Sequence, residues 1–422
     1  MNNSIKDFLD ILSSRGFIHQ TTDLEDLQKK NTNIIGYTGF DCTADCLHVG
    51  SLLQLMLLRW LQKTDNKPIV LMGGGTTKIG DPSGKDETRK ILDEPTINNN
   101  LEGIKEIILK FIKFDNSSYG AVLVNNSEWL DDINYIDFLR NFGRHFSVNR
   151  MLSFESVKTR LDREQNLSFL EFNYMITQAY DYYYLNKNLN CNVQFGGSDQ
   201  WGNIINGIDL IKKTSSSENK TSNVHAITSP LITSSNGQKM GKTSNGAVWL
   251  SEKYISVFDF WQFWRNTTDE DVIKFLKLFT EIELKEINKL EKLEGEELND
   301  AKILLANSVT EIVHGAEKAD LALKSSDPLI ANKLEVNDSL PSVDLKLNLL
   351  ENGIPFYKVF TLENILCKSN SEARRLIQQG GAKLNGIKIL DINYLVTKND
   401  IQENKLILIS AGTKRHAILK IN

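Results

Sequence analysis

Three groups of residues have the types and spacing that chemistry requires. The stretch "YTGFDCTADCLHVGSLLQLMLLRWLQ", Tyr37 to Gln62, follows a strand-like segment (Asn33 to Gly39) through a polar turn into a His-x-Gly step, His48 to Gly50. That step opens a long apolar helix. The first turn of a helix presents unpaired N–H groups and the positive end of its dipole, so such a junction suits phosphate. Gly50 lets a ligand lie close against that turn, and Thr43 and His48 add side-chain donors. The second group is the Gly-rich loop "SSNGQKMGKTSNG", Ser234 to Gly246, where Lys239 and Lys242 stand three apart just ahead of Thr243. Concentrated positive charge on a loop stabilises a departing pyrophosphate without bonding chemistry of its own. In the third group, Tyr174, Gln178 and Asp181 fall at i, i+4 and i+7 of a helix whose other face, Phe172, Met175, Ile176 and Ala179, is apolar. A polar stripe on a core helix implies a small polar ligand. Taken singly, each group also reads as a capped helix, an exposed lysine loop or a satisfied core polar; their joint occurrence carries the inference.

The elements that must position these residues alternate. Strand-like "NIIGYTG", "KPIVLMGGG", "AVLVNN" and "CNVQFGG" are separated by helical runs from His48, near Leu101 to Phe111, near Ser168 to Leu185, and from Asp199 to Ile211. This rhythm predicts an α/β, Rossmann-like parallel sheet with crossover helices and a ligand site beyond the carboxyl ends of its strands. The catalytic domain is placed at 1–247, with a mostly helical insertion at about 131–164 that suits a partner surface. An all-helical domain follows at 248–324, then a linker over 325–350, where Pro328 and Pro341 bracket a weakly patterned stretch. Residues 351–422 read as a small α+β module: a capped helix, a Gly-Gly stop, a short strand and an Asn-Gly turn in "SNSEARRLIQQGGAKLNGIKILD".

Charge divides along the same lines. The 422 residues carry a formal net charge of −5. Residues 351–422 hold 11 Lys and Arg against 6 Asp and Glu, while the rest holds 38 against 48. A basic module on an acidic body suggests a polyanionic partner. No run of apolar residues is long enough to span a bilayer, and the cysteines Cys42, Cys46, Cys191 and Cys367 form no even ladder, so a reducing, cytoplasmic setting is expected. Cys42 and Cys46 lack the second pair that zinc requires, and no protein-bound metal is expected.

The His-x-Gly step and the Lys-Met-x-Lys-Thr loop together resemble the two signature motifs of class I aminoacyl-tRNA synthetases. Between them "GGGTTKIGDPSGKDETR", "QAYDYYYL" and "VQFGGSDQWGNI" resemble the bacterial tyrosyl-tRNA synthetase family, and "SEARRLIQQGGAKLNG" resembles its S4-like RNA-binding module. The resemblance spans essentially the whole chain. It implies that L-tyrosine and ATP, with bound Mg²⁺, form tyrosyl-adenylate and pyrophosphate, and that tyrosine then passes to the 3′ end of tRNA(Tyr). It further implies that Tyr37 and Asp181 contact the tyrosine hydroxyl, that Asp81, Tyr174 and Gln178 hold its ammonium, and that Gln200 completes the pocket. Asp41, Gly50, Gly197 and Asp199 fall on the ATP side, with Thr43 and His48 on the γ-phosphate and Lys85, Arg89, Lys239, Lys242 and Thr243 on the departing pyrophosphate. In the tail, Arg374, Arg375, Lys383, Lys388, Lys414 and Arg415 are implied phosphate contacts. The insertion, with Arg144 and Arg150, resembles the family's homodimer-forming segment, and Trp129 and Trp201 read as packing residues. Ser51 departs from the family's usual second histidine and Gly241 from its frequent serine. Two alternatives stay open: a tryptophan-specific relative of the same fold, and a catalytically silent RNA-binding protein.

Overall fold

The computed structural model describes residues 3–29, 33–82, 91–217, 223–233, 235, 240, 242–243, 246–326, 340–402, 405–412 and 415–422. The chain forms two compact units, Met1–Ser251 with Lys274–Phe279, and Glu252–Ile273 with Thr280–Asn422.

In the first unit, β1 (Gln20–Thr21), β2 (Ile35–Asp41), β3 (Lys67–Gly73), β4 (Val122–Asn125), β5 (Val193–Gly197) and β6 (His225–Ser229) form one sheet in the order β1-β6-β5-β2-β3-β4. All pairings are parallel except that of β1, which lies antiparallel to β6 at the edge. A strand as short and polar as Gln20–Thr21 carries no readable period, which is why the sequence does not announce it. The chain runs from β2 outward to β3 and β4, then returns to lay β5 and β6 on the other side. The carboxyl ends of β2 and β5 therefore flank a topological switch point, where open α/β sheets form their ligand crevice.

Local chemistry sets where the helices begin. The Val49–Lys63 helix starts after His48, whose backbone is extended and whose Nδ1 accepts from the Gly50 N–H. It buries Leu52, Leu53, Leu55, Met56, Leu57, Leu58 and Leu61, each contributing about 1.5–3 kcal/mol of burial. The helix expected near Leu101 to Phe111 instead spans Glu94–Ile108, because Asp93 caps its N-terminus and Pro95 lies in its first turn. The Phe169–Leu189 helix has a capping box: Ser168 Oγ accepts from the Glu171 N–H, and the Glu171 carboxylate accepts from the Ser168 N–H. It ends at Asn190 in the left-handed region.

Residues 131–164 contain the helices Tyr135–Asn141, Val148–Ser153 and Glu155–Asp162. They pack on the Phe169–Leu189 helix through Met151, Val157, Met175 and Ile176. Arg160, buried, donates to Glu171 Oε1 at 3.1 Å and also to the Asn166 carbonyl, so one ion pair pins the insertion to the pocket helix.

The second unit holds the helices Val257–Arg265, Leu284–Leu290, Leu298–His314 and Ala316–Ser325. Phe258, Phe260, Trp261 and Trp264 are buried, and Trp261 Nε1 donates to Asn307 Oδ1 at 2.6 Å. Counting on from the short pair β7 (Lys242–Thr243) and β8 (Gly246–Ala247) of the first unit, the strands here are β9 (Ser342–Leu345), β10 (Ile354–Pro355), β11 (Ala382–Leu384), β12 (Ile387–Lys388), β13 (Leu395–Val396), β14 (Leu406–Ala411) and β15 (Arg415–Ile421). They give a five-stranded sheet, β12-β11-β14-β15-β9, and the pair β10-β13. β9 falls inside the stretch expected as linker: Val343 and Leu345 alternate with Ser342 and Asp344, and β9 runs parallel to β15, so the module begins before residue 351. Asn385 and Gly386 both have positive φ and turn β11 into β12, as the Asn-Gly pair requires.

Glu171→Ala leaves the Arg160 guanidinium buried without its carboxylate, with an expected cost of about 3–5 kcal/mol in denaturant unfolding. A cost below about 1 kcal/mol would show that the pair does not anchor the insertion.

Candidate active site

A cavity of about 500 Å³ opens at the ends of β2 and β5. Its wall includes Tyr37, Asp41, Thr43, His48, Gly50, Ser51, Asp81, Tyr174, Gln178, Asp181, Gly197 and Gln200. The fold thus brings together residues from opposite ends of the first unit. Asp199 is not in that wall: it lies against Gly197, where a Cβ would meet Asp199 Oδ1 at 2.5 Å.

One part of the cavity is built for a hydroxyl. Asp181, buried at 1% exposure, accepts from Asn126 Nδ2 at 2.9 Å and Trp129 Nε1 at 2.8 Å. Burial pushes its carboxyl up to about 7, the two donors oppose this, and the Asp41 charge adds to it. Tyr37 is equally buried, and its hydroxyl has no hydrogen-bond partner among the described residues. Burial first, then the Asp181 charge, pushes its phenol well above the ordinary value, so it stays neutral. A buried hydroxyl without a partner is costly. A ligand hydroxyl that donates to Asp181 and accepts from Tyr37 satisfies both groups at once.

A second part is built from acceptors. The Tyr174 hydroxyl donates to Asp41 Oδ2 at 2.9 Å, and Thr76 Oγ1 donates to Asp41 Oδ1 at 2.8 Å. Because its proton points to Asp41, the Tyr174 oxygen offers lone pairs to the cavity. Gln200 Nε2 donates to Asp81 Oδ2 at 2.8 Å, and Asn203 Nδ2 donates to Gln178 Oε1 at 3.0 Å and Gln200 Oε1 at 3.2 Å. This network holds Asp81, Tyr174 and Gln178 in the wall as acceptors, an arrangement that suits an ammonium group.

The helix start is the third part. Since His48 Nδ1 accepts from the Gly50 N–H at 2.9 Å, the imidazole proton sits on Nε2, which makes that atom a donor. The glycine serves this cap first: a Cβ at Gly50 would come within 2.6 Å of His48 Cε1 and 2.8 Å of Nδ1. Ladder bonds tie this step to the chain that follows the lysine loop. The Val49 N–H donates to the Val248 carbonyl and the Leu250 N–H to the Leu47 carbonyl, each at 2.9 Å, with Trp249 opposite His48. The Met240 carbonyl lies 3.7 Å from that same Cβ position. Lys85, Arg89, Lys239, Gly241 and Lys414 lie outside the described residues, and Lys242 and Thr243 are described by backbone alone, in β7.

Sequence reasoning missed Asn126, Thr76 and Asn203, and read Trp129 as packing alone. Trp129 does stack on Tyr184, with centroids 4.2 Å apart, but its N–H is spent on Asp181. The one available signal was position: Asn126 directly follows β4, at the carboxyl edge of the sheet. Gln54, Gln194 and Ser229 also line the cavity without having been singled out. All four cysteines are buried free thiols, and burial pushes Cys42 up to about 12. Among the described residues no group of three or more His, Cys, Asp or Glu is placed to hold a metal ion, and no helix is long and apolar enough to cross a membrane.

In the second unit, Arg374 and Arg375 are exposed on the Asn370–Gln378 helix, and the Arg374 guanidinium lies 4.1 Å over the Tyr357 ring. Lys383 is half-buried in β11, Lys388 is exposed in β12, and Arg415 donates to the Leu366 carbonyl at 2.8 Å.

A parallel sheet with a switch-point cleft, a capped His-x-Gly step and a polar pocket define a class. The chain belongs to the tRNA synthetases class I (W and Y), the family model that matches residues 29–329. More particularly, residues 337–419 match the Tyrosine--tRNA ligase SYY-like C-terminal domain. The tyrosine–tRNA ligase of Rickettsia rickettsii is 49% identical over 416 residues, covering 98% of this chain and 100% of the relative. That of Rhodopseudomonas palustris is 49% identical over 417 residues, covering 98% of each. Among solved structures, a C-terminally truncated mitochondrial tyrosyl-tRNA synthetase of Aspergillus nidulans aligns with TM-score 0.67 and 30% identity, over 75% of this chain and 92% of that one. A tryptophanyl-tRNA synthetase of Encephalitozoon cuniculi, at 11% identity and TM-score 0.53 over 75% of this chain and 91% of that one, shares the fold alone.

The raised Asp181 carboxyl has a consequence for stability. A carboxyl that binds its proton more tightly when folded stabilises fully below its unfolded value, near 3.8, and loses that contribution as pH rises through about 7. The ligand-free chain is therefore expected to lose stability across this window relative to Asp181→Asn, as read by urea midpoints at several pH values. Parallel curves for the two proteins would contradict the raised carboxyl.

Proposed function

We infer that the chain is a tyrosine–tRNA ligase, which forms tyrosyl-adenylate and pyrophosphate from L-tyrosine and ATP and then transfers tyrosine to the 3′ end of tRNA(Tyr). The observation that carries this is the partnerless Tyr37 hydroxyl with the buried Asp181 carboxylate in the cavity wall, within a chain of this family. A phenol completes both groups. Phenylalanine leaves the Tyr37 hydroxyl unpaired and brings no donor to Asp181, the basis of the rejection for which tyrosine-activating enzymes are the known example.

With its ring so placed, the substrate's ammonium meets Asp81, Tyr174 and Gln178, and Gln200 holds Asp81 in position. Asp41, placed on the ATP side, also accepts from the Tyr174 hydroxyl and so fixes it from behind. The tyrosine carboxylate oxygen attacks the α-phosphorus of ATP. A new P–O bond forms there, and the bond from the α-phosphorus to the bridging oxygen breaks with its electron pair leaving on pyrophosphate. No side chain need act as nucleophile, so the protein contributes position and charge. His48 Nε2–H and Thr43 face the phosphates at the positive end of the Val49–Lys63 helix, and Mg²⁺ arrives on the nucleotide. Gly50, Gly197 and Asp199 take the adenosine side. Lys85, Arg89, Lys239, Lys242 and Thr243 receive the pyrophosphate; for these the support is the sequence motifs. Ser51 is shorter than the family's histidine, which leaves a water-bridged contact to the ribose.

The same reading makes the protein a cytoplasmic homodimer. What supports the assembly is that the insertion exposes Tyr135, Ile136, Val148 and Leu152, and that Phe169, a few residues on, stands 70% exposed. The basic module of the second unit, with Arg374, Arg375, Lys383 and Lys388, takes the tRNA backbone, and Lys414 and Arg415 belong to the same basic surplus.

The test is ATP–pyrophosphate exchange by the purified chain, expected with tyrosine and not with tryptophan or phenylalanine. Exchange driven by tryptophan instead would sink the specificity assignment. For the assembly, Ile136→Asp is expected to shift the protein from dimer to monomer in sedimentation velocity. An unshifted dimer would place the interface elsewhere.

A further inference from the structure

We propose that Gln54 is a specificity residue for the nucleotide: its amide oxygen accepts from a ribose hydroxyl of ATP and takes over, one helical turn further in, the direct contact for which Ser51 is too short. This rests on the reading of the cavity as a site for tyrosine and ATP.

Gln54 is out of place by composition. In the Val49–Lys63 helix it stands in the run "LLQLMLL", between Leu53 and Leu55, which are both buried. A polar side chain among such neighbours is unfavourable unless each end of it is met. One end is met within the protein. Gln54 Nε2 donates to Ser229 Oγ at 2.6 Å, and Ser229 Oγ donates in turn to the Gly196 carbonyl at 3.3 Å. With its one proton directed to that carbonyl, the Ser229 oxygen accepts from Gln54, which places the amide nitrogen toward Ser229 and leaves the amide oxygen for another donor. That oxygen is buried and has no partner among the described residues, and Gln54 lines the cavity. The Tyr37 hydroxyl stands in the same condition in the tyrosine half of the same cavity. In both halves a buried polar atom is left for a ligand to satisfy.

Position along the wall indicates which part of the ligand does so. Ser51 and Gln54 are three apart on the helix and both line the cavity, so they share the face turned to it. His48, just ahead of them at the helix start, belongs to the phosphate end. On the far side, the Ser229 partner of Gln54 closes β6 and leads into Pro230, Leu231 and Ile232, which give the wall an apolar stretch suited to a base. Between the phosphates and the base of a nucleotide lies its ribose. A carboxamide oxygen repels phosphate and requires a donor, and the ribose brings two hydroxyls able to donate. The Ser229 bond holds the amide in one orientation, so the acceptor is in place before the nucleotide arrives.

The test is kcat/KM in tyrosine-dependent pyrophosphate exchange with ATP, with its 2′-deoxy and 3′-deoxy analogues, and with purine riboside triphosphate, which lacks the amino group of the base. The unmodified protein is expected to use one of the deoxy analogues about 10-fold less well than ATP, as loss of one buried hydrogen bond implies. Gln54→Met keeps the length without hydrogen-bonding groups. There kcat/KM for ATP falls by about the same 10-fold, use of that deoxy analogue is unchanged, and KM for tyrosine does not move. Ser229→Ala keeps Gln54 but releases its amide; it weakens the same preference and stands alone if the methionine variant does not fold. Equal losses with ATP and both deoxy analogues in Gln54→Met would show a packing role and overturn the proposal. So would a preference unchanged in both variants, a change confined to purine riboside triphosphate, or equal use of ATP and both deoxy analogues by the unmodified protein. Absence of tyrosine-dependent exchange with ATP itself would instead remove the parent reading, and this proposal with it.

Discussion

A carboxylate taken out of water is the constraint on which the pocket depends. Asp181 lies on the buried face of its helix, and a charge there is tolerable only if its oxygens are met by donors. Asn126 and Trp129 meet them from beyond β4, and the remaining demand falls on whatever enters beside Tyr37. Stability and selectivity therefore oppose one another at this point. The pocket holds a hydroxyl without a partner among the described residues and a carboxyl displaced toward neutrality, and a phenol would relieve both.

The rest of the first unit holds that arrangement in place. The switch between β2 and β5 opens the crevice, and the capping box at Ser168 with the Arg160–Glu171 pair fixes the pocket helix along its length. At the mouth, the His48 cap and the ladder to residues 248–250 tie the start of the Val49–Lys63 helix to the chain leaving the lysine loop. The His-x-Gly step is thereby hydrogen-bonded to residues nearly two hundred positions further along the chain, a few residues beyond the lysine loop.

Much of the architecture was legible before any coordinates. Period and length place β2, β3, β4 and β5, because parallel strands buried on both faces appear as continuous apolar runs between helices. The Asn-Gly turn and the Ser-led helices follow from local backbone chemistry, which a sequence states outright. Less legible were β1, too short to show a period, the start of the Glu94–Ile108 helix, set by a cap rather than by its apolar residues, and β9, hidden in a stretch with weak patterning.

What the sequence by itself determined is which residue types are available at the strand ends: Tyr37, His48, Gly50 and the Tyr174, Gln178, Asp181 stripe, whose spacing is a property of one element at a time. Tertiary structure alone decided their partners. Asn126 lies 55 residues from Asp181 and Asp41 lies 133 from Tyr174, and no periodicity reports a hydrogen bond between elements brought together only by the sheet. The Trp129 bond to Asp181 and the bond of Thr76 to Asp41 are of this kind. Each is set by what the fold places next to it, and a neighbour in space leaves no local trace in the chain.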